Sequence, residues 1–255
     1  MLTIALPHYE FIRISGPDTV TFLQGQVSCD VTSLSSELSL TGALCNLKGR
    51  VIADFRLLQD AEDCLLQTQS GMAQVILDAL KKYAMFSKVD LRLEPGFAAT
   101  GLLGEDSAAT VMELVGQVPD QTNAVVQRNG ISAIALAGST PRFEIWSQPA
   151  KHTDFQHQLQ SLPTGNFADW QRQEMRAGVL HVTPELSEQY TPQLLNYDIS
   201  GVINFRKGCY TGQEVVARMY YRGKAKKRLF LLQTAQDASA DLEADERFSV
   251  LLQAA

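Results

Sequence analysis

Apolar residues along this chain recur with two periods, and the places where one gives way to the other mark out its elements. Gly16-Pro17-Asp18 is a helix-start signal, and Val20, Leu23 and Val27 then share one face, which predicts a helix within 16–27. From Ala43 the pattern turns to strands. Val51, Ala53, Phe55 and Leu57 alternate with Ile52, Asp54, Arg56 and Leu58, a strand buried on one face and partly on the other. A second strand is expected over Cys64–Thr68. The clearest helical signal follows: Met72, Val75, Ile76, Ala79, Leu80 and Tyr83 share one face, with Lys81 and Lys82 near the C-terminal end. A strand over Lys88–Leu93 closes this stretch, and Pro95-Gly96 punctuates it.

A second stretch repeats the plan. It reads as a strand over Phe97–Leu103, a helix over Ser107–Val115 and a hairpin turning at Asn129-Gly130. A strand through Phe143–Trp146 and a helix through Asp154–Leu162 complete it. Two successive α+β blocks of similar outline imply a duplicated architecture without a residue-level repeat. A helix over Asp169–Ala177 leads into an irregular segment rich in Pro, Asn and Gly, the kind of segment that carries function. Two short strands, Leu229–Gln233 and Phe248–Gln253, flank an acidic run over Asp237–Glu246.

Composition narrows the class. Of 255 residues 45% are hydrophobic and 20% charged, enough apolar material for a real core and too much for whole-chain disorder. A net charge of −6 argues against a nucleic-acid coat or a membrane-surface binder. No apolar run approaches the ~18 residues of a membrane span, and the first residues carry no signal-peptide pattern. A cytoplasmic protein with no membrane partner is the expectation. The cysteines, Cys29, Cys45, Cys64 and Cys209, form no C-x-x-C pair, which argues against zinc and against a cluster ligated wholly by this chain. Cys45 and Cys64 sit in apolar runs and read as core residues. His152 and His157 are poorly spaced for a metal, and His181 falls in a turn-like region; none of them suggests a site.

Chemistry concentrates around Cys209. Gly208 and Gly212 let the backbone turn sharply and a ligand come close. Arg206 and Lys207 are cations near the thiol and would favour its thiolate. The octapeptide Lys207-Gly208-Cys209-Tyr210-Thr211-Gly212-Gln213-Glu214 resembles the K-G-C-Y-x-G-Q-E signature of the YgfZ-type folate-binding proteins, relatives of the glycine-cleavage T-protein. Three further motifs extend the resemblance over roughly residues 9–233. They are Phe22-Leu23-Gln24-Gly25-Gln26-Val27 with Asp30-Val31, Lys48-Gly49-Arg50, and the run from Lys81-Lys82-Tyr83 to Phe86-Ser87-Lys88-Val89.

The resemblance implies a T-protein-like α+β fold: two similar blocks, about residues 1–95 and 96–228, around a central cleft, with an incomplete C-terminal β-barrel segment over 229–255. It implies tetrahydrofolate or another folate derivative as cofactor, with aromatic positions falling on Tyr9 and Trp170 and an acid on Asp54. Tyr210, Gln213, Glu214 and Arg222 are the further ligand contacts, and Cys209 with Lys207 the reactive pair. The implied function is a folate-binding accessory protein for iron–sulfur cluster assembly or repair, with iron–sulfur proteins or assembly factors as partners and tRNA modification reached through cluster enzymes. The rivals are a folate-dependent aminomethyl- or methyltransferase and a non-catalytic adaptor. Where the aminomethyltransferase relatives carry paired acids this chain has Ala53-Asp54, which disfavours the transferase. Arg218, Arg222, Lys224, Lys226, Lys227 and Arg228 form a basic run. On an acidic protein it is read as a contact for a folate tail or an acidic protein, and direct tRNA binding is not expected.

Overall fold

Strands with apolar residues on both faces must be covered twice, and this chain covers them by stacking two sheets between helices. The computed structural model describes residues 1–223 and 227–231. The chain begins with β1 (Leu2–Ala5), β2 (Tyr9–Ser15), α1 (Thr19–Gln24), β3 (Leu40–Cys45), β4 (Val51–Asp60) and β5 (Asp63–Gln69). Then come α2 (Ala73–Ala84), β6 (Asp90–Leu93), β7 (Ala98–Leu103), α3 (Ser107–Val115), β8 (Val125–Arg128) and β9 (Ile131–Ala135). β10 (Arg142–Ser147), α4 (Thr153–Gln160), α5 (Phe167–Arg176) and α6 (Gln213–Arg222) follow.

One sheet has the order β3-β4-β5-β2-β6 and the other β1-β7-β10-β9-β8, with antiparallel neighbours in both. β2 shows the division of faces. Ile12 and Ile14 pack beneath α1 and α2, with Phe22, Ile76 and Leu80. Tyr9 and Phe11 face the other sheet, where they meet Trp146, Ile134 and Trp170. The far side of that second sheet buries Leu102 and Ile145 against Val111 of α3 and Phe155 of α4. A further cluster fixes the irregular segment after α5: Leu180, Val182, Tyr197 and Ile203 pack on Ala43, Cys45 and Val51. Burial of each such Leu, Ile or Val is worth roughly 1.5–3 kcal/mol, so this segment is held as firmly as a core element.

The hairpin at Asn129-Gly130 forms as expected, with both residues at positive φ. The α5 helix starts with a capping box, in which Asn166 Oδ1 accepts from the Asp169 N–H at 2.9 Å and Asp169 Oδ2 accepts from the Asn166 N–H at 3.3 Å. The helix predicted within 16–27 contracts to α1, because Gly16 is at φ 113, outside helical geometry. The hydrophobic pattern does not mark β1, β2 or α6. The two sheets also do not follow the chain in order, since β1 crosses to pair with β7 in the second sheet. Residues 229–231 are described without regular structure, while Lys224, Lys226, the acidic run and the strand expected over Phe248–Gln253 lie outside the described residues.

Candidate functional site

Where apolar packing between the sheets gives way to polar side chains, a cleft of about 190 Å³ opens. Strand alternation selects what enters it. Ala53, Phe55 and Leu57 of β4 belong to the core beneath α2, so Asp54 and Arg56 face the cleft. Gln67 comes from β5, Arg142 and Glu144 from β10, Glu174 from α5, and His181 from the loop that follows. Tyr9 at the start of β2 completes the lining.

His181 is the hub. Its Nδ1 lies 2.7 Å from Asp54 Oδ2, and its Nε2 lies 3.1 Å from the Tyr9 hydroxyl and 3.4 Å from Glu174 Oε1. Asp54 Oδ1 accepts from the Val182 N–H at 2.6 Å, so one carboxylate clamps both residues of this turn. Burial works to strip the ring of its proton, but the carboxylates of Asp54 and Glu174 outweigh it and lift the pKa to about 10. His181 is therefore an imidazolium at neutral pH. Glu174 Oε1 also accepts from Tyr9 OH at 3.0 Å and Trp170 Nε1 at 3.1 Å. Burial would raise its pKa, yet bonding to His181 and the nearby Arg142 hold it below the ordinary carboxylate value. Burial and Glu174 push the Tyr9 phenol well up, which keeps it a neutral donor.

The opposite wall is as strongly ionic. Glu144 accepts from Trp146 Nε1 at 2.9 Å and from Gln67 Nε2; burial raises its pKa while Arg56 opposes the rise. Arg56 donates to Ser39 Oγ and Asn123 Oδ1, each at 2.8 Å. Arg142 donates through Nε to the Ala137 carbonyl at 2.8 Å and lies over the Trp170 ring, 5.3 Å from its centroid. Its buried Nη1 has no partner among the described residues. Asp54, Glu144 and Glu174 thus face Arg56, Arg142 and His181, three acidic side chains against three basic ones.

Of the residues expected to hold folate, Tyr9 and Asp54 line the cleft. Trp170 does not, and its expected stacking role is corrected. The indole is fully buried, packed on the bare backbone of Gly101 and beneath Arg142, so it has no free face for a ligand. It acts on the cleft through its bond to Glu174. The departure at Ala53 also changes meaning. That side chain sits in the apolar core, so an acid there would not face the cleft, and the acid that does face it, Asp54, is retained.

The signature builds a second locus. Lys207 Nζ donates to the carbonyls of Gln24, Val27 and Cys29 at 2.8, 2.6 and 2.8 Å. An ammonium has three protons, and all three are engaged on backbone carbonyls, so Lys207 ties the signature to the Gln24–Cys29 segment. Burial lowers its pKa to about 8. Thr211 bonds back to the same motif, through its N–H to Gly25 O and through Oγ1 to Gln26 Oε1. Gly212, at φ 81, lies so close to Asn46 that a Cβ would run into the Asn46 carbonyl, and Gly49 packs on Val215. Three motifs far apart in sequence are thereby one structural knot. Tyr210 is buried with its ring 5.2 Å from Lys207 Nζ, while Cys209 is exposed. Gln213 and Glu214 start α6 and Arg222 ends it. None of these residues lines the cleft, so the expected ligand contacts fall at two places. In the basic run Arg228 pairs with Asp198 through both nitrogens of its fork, at 2.8 and 2.7 Å, and is an internal tie.

Sequence reasoning missed His181, Glu174, Arg56, Arg142 and Glu144. The available signal was a charged or polar residue inside an apolar alternation, as in Arg142-Phe143-Glu144-Ile145-Trp146.

Comparison with known proteins gives a consistent set of relatives, although no family model matches the chain. The chain is 38% identical over 231 residues to the tRNA-modifying protein YgfZ of Colwellia psychrerythraea, spanning 90% of this chain and 70% of that one. It is 30% identical over 245 residues to the Escherichia coli protein of the same name, spanning 94% of this chain and 75% of that one. Among solved structures, glycine cleavage system aminomethyltransferase T from Bartonella henselae shares the fold with a TM-score of 0.71 at 18% identity. That match covers 87% of this chain, which spans 63% of the other.

Proposed function

We propose that this chain, which belongs to the YgfZ family, binds a folate derivative in the cleft between its sheets and serves iron–sulfur proteins through the thiol of Cys209. Its effect on tRNA modification then runs through cluster-dependent enzymes. The charge-balanced cleft carries the proposal. It is smaller than the roughly 300–1,000 Å³ of pockets that enclose a whole drug-sized ligand, which suits a bicyclic pterin entering with its tail outside. Placed donors and acceptors along an otherwise apolar slot are what a flat ring with a polar edge requires, and Arg142 Nη1 is a donor in want of an acceptor. Bound folate would supply a carrier for one-carbon units; the chain's own residues hold and orient it.

Calorimetric titration with 5-formyltetrahydrofolate tests the site. Saturable binding that weakens at least tenfold in Glu174→Gln, and is unaltered in Cys209→Ala, is the expected result. In cells, Cys209→Ala should lose support of iron–sulfur enzymes while keeping folate affinity. Wild-type support from that variant would remove the thiol from the function. The transferase reading keeps a place because Asp54 faces the cleft beside His181. Robust turnover of an aminomethyl donor with tetrahydrofolate would make it the better one.

A further inference from the structure

Among the described residues, Arg142 is the one member of the cleft whose bonding is incomplete in a way that points to a ligand. Its residue is 2% exposed, it lines the cleft, and Nη1 has no hydrogen-bond partner among the described residues. A buried donor on a charged group left unpaired costs more than a typical hydrogen bond returns, so an arrangement of this kind persists when something completes it. The guanidinium is not free to turn away. Nε is fixed on the Ala137 carbonyl, and the plane lies over Trp170, which is itself bonded to Glu174.

Charge limits what the missing acceptor can be. Arg142, Arg56 and His181 are already matched by Glu144, Asp54 and Glu174, so an anionic ligand would bring an excess buried negative charge beside two carboxylates. A neutral carbonyl oxygen accepts a hydrogen bond from Nη1 without that cost.

We infer that Arg142 is a specificity-determining residue of the cleft, donating from Nη1 to the exocyclic carbonyl of a neutral lactam-type ring. This rests on the folate proposal for its ligand, where the carbonyl is the 4-oxo group of the pterin. A guanine-type base presents the same chemistry and is distinguished in the test.

Folic acid and aminopterin differ in that the 4-oxo acceptor becomes a 4-amino donor, which would meet the Arg142 donor head on. By calorimetry the wild-type protein should bind folic acid at least tenfold more tightly than aminopterin. Arg142→Met should abolish that preference, and Arg142→Lys, which keeps a donor, should restore part of it. A change in the ratio of two ligands is not something a merely packing residue produces. If Arg142→Met fails to fold, the wild-type ratio still decides: equal affinity, or a preference for aminopterin, overturns the inference while leaving the folate proposal standing. Binding of guanosine without folic acid would overturn the folate proposal, and Arg142 would keep its role if Arg142→Met lost guanosine. Binding of none of the three overturns the inference, and overturns the folate proposal as well if 5-formyltetrahydrofolate also fails to bind.

Discussion

At the scale of single residues the cleft depends on side chains whose meaning comes from partners far along the chain. His181 touches Asp54, 127 positions away, and Tyr9, 172 positions away, which is why a lone histidine in a turn gave no sequence signal. Tyr9 and Asp54 were legible through the family resemblance; Glu174 was not, because nothing local distinguishes a cleft glutamate on a helix from a surface one, and Arg142 was marked only by its place at the head of an apolar alternation. The ion pairs of His181 also set a pH dependence with a definite sign. Its ring pKa rises from an ordinary 6.5 to about 10 on folding, so the folded state holds the proton more tightly. The stabilisation is complete below 6.5 and is lost as pH rises through about 10. The wild-type urea midpoint should therefore fall between about pH 6 and pH 9, and fall less in His181→Gln. Parallel slopes in the two proteins would mean that these pairs contribute nothing to stability.

Among elements, the motifs that carried the family resemblance act as joints. The Phe22–Val27 motif accepts Lys207 and Thr211, and the turn at Lys48-Gly49-Arg50 receives the start of α6. Sequence showed that these motifs existed, but that they meet is a property of the fold. The α6 helix itself escaped notice because its apolar positions, Val215, Val216 and Met219, follow directly on a glycine-rich signature that reads as a loop. β2 escaped because both its faces are buried, which erases the alternation that marks a half-exposed strand. Glycines at matching φ make a test of the joint. Gly201 at φ 82 has nothing within 4 Å of where a Cβ would stand, whereas Gly212 at φ 81 abuts the Asn46 carbonyl. Gly201→Ala should cost about 1–2 kcal/mol, the intrinsic left-handed penalty. Gly212→Ala should cost clearly more, read as a larger loss in urea midpoint. Equal losses would show that the joint yields to the added methyl.

Across the whole molecule, the layers of helix and sheet, together with the irregular segment packed on Cys45, shield three of the four cysteines. Burial pushes the thiols of Cys29 and Cys45 up to about 12 and that of Cys64 to about 11, while Cys209 stands exposed on the signature loop. Iodoacetamide at neutral pH should therefore modify the native protein once, at Cys209, and reach the other three only in urea. Mass spectrometry locating early label on Cys29, Cys45 or Cys64 would mean that the layers open on the time scale of labelling. The plan of two α+β blocks was legible from the succession of strand and helix patterns. The crossing of β1 was not, since four residues carry too little pattern to name their partner. That crossing has a consequence for synthesis on the ribosome. The partner of Leu2 is Leu103, so the second sheet cannot receive its edge strand until about a hundred residues have been made. At ordinary translation speeds that is a wait of roughly 5–20 s. β1 thus precedes every strand of the first sheet yet cannot pair until all of them have been made, and the first sheet must assemble while a neighbouring apolar strand is still unclaimed.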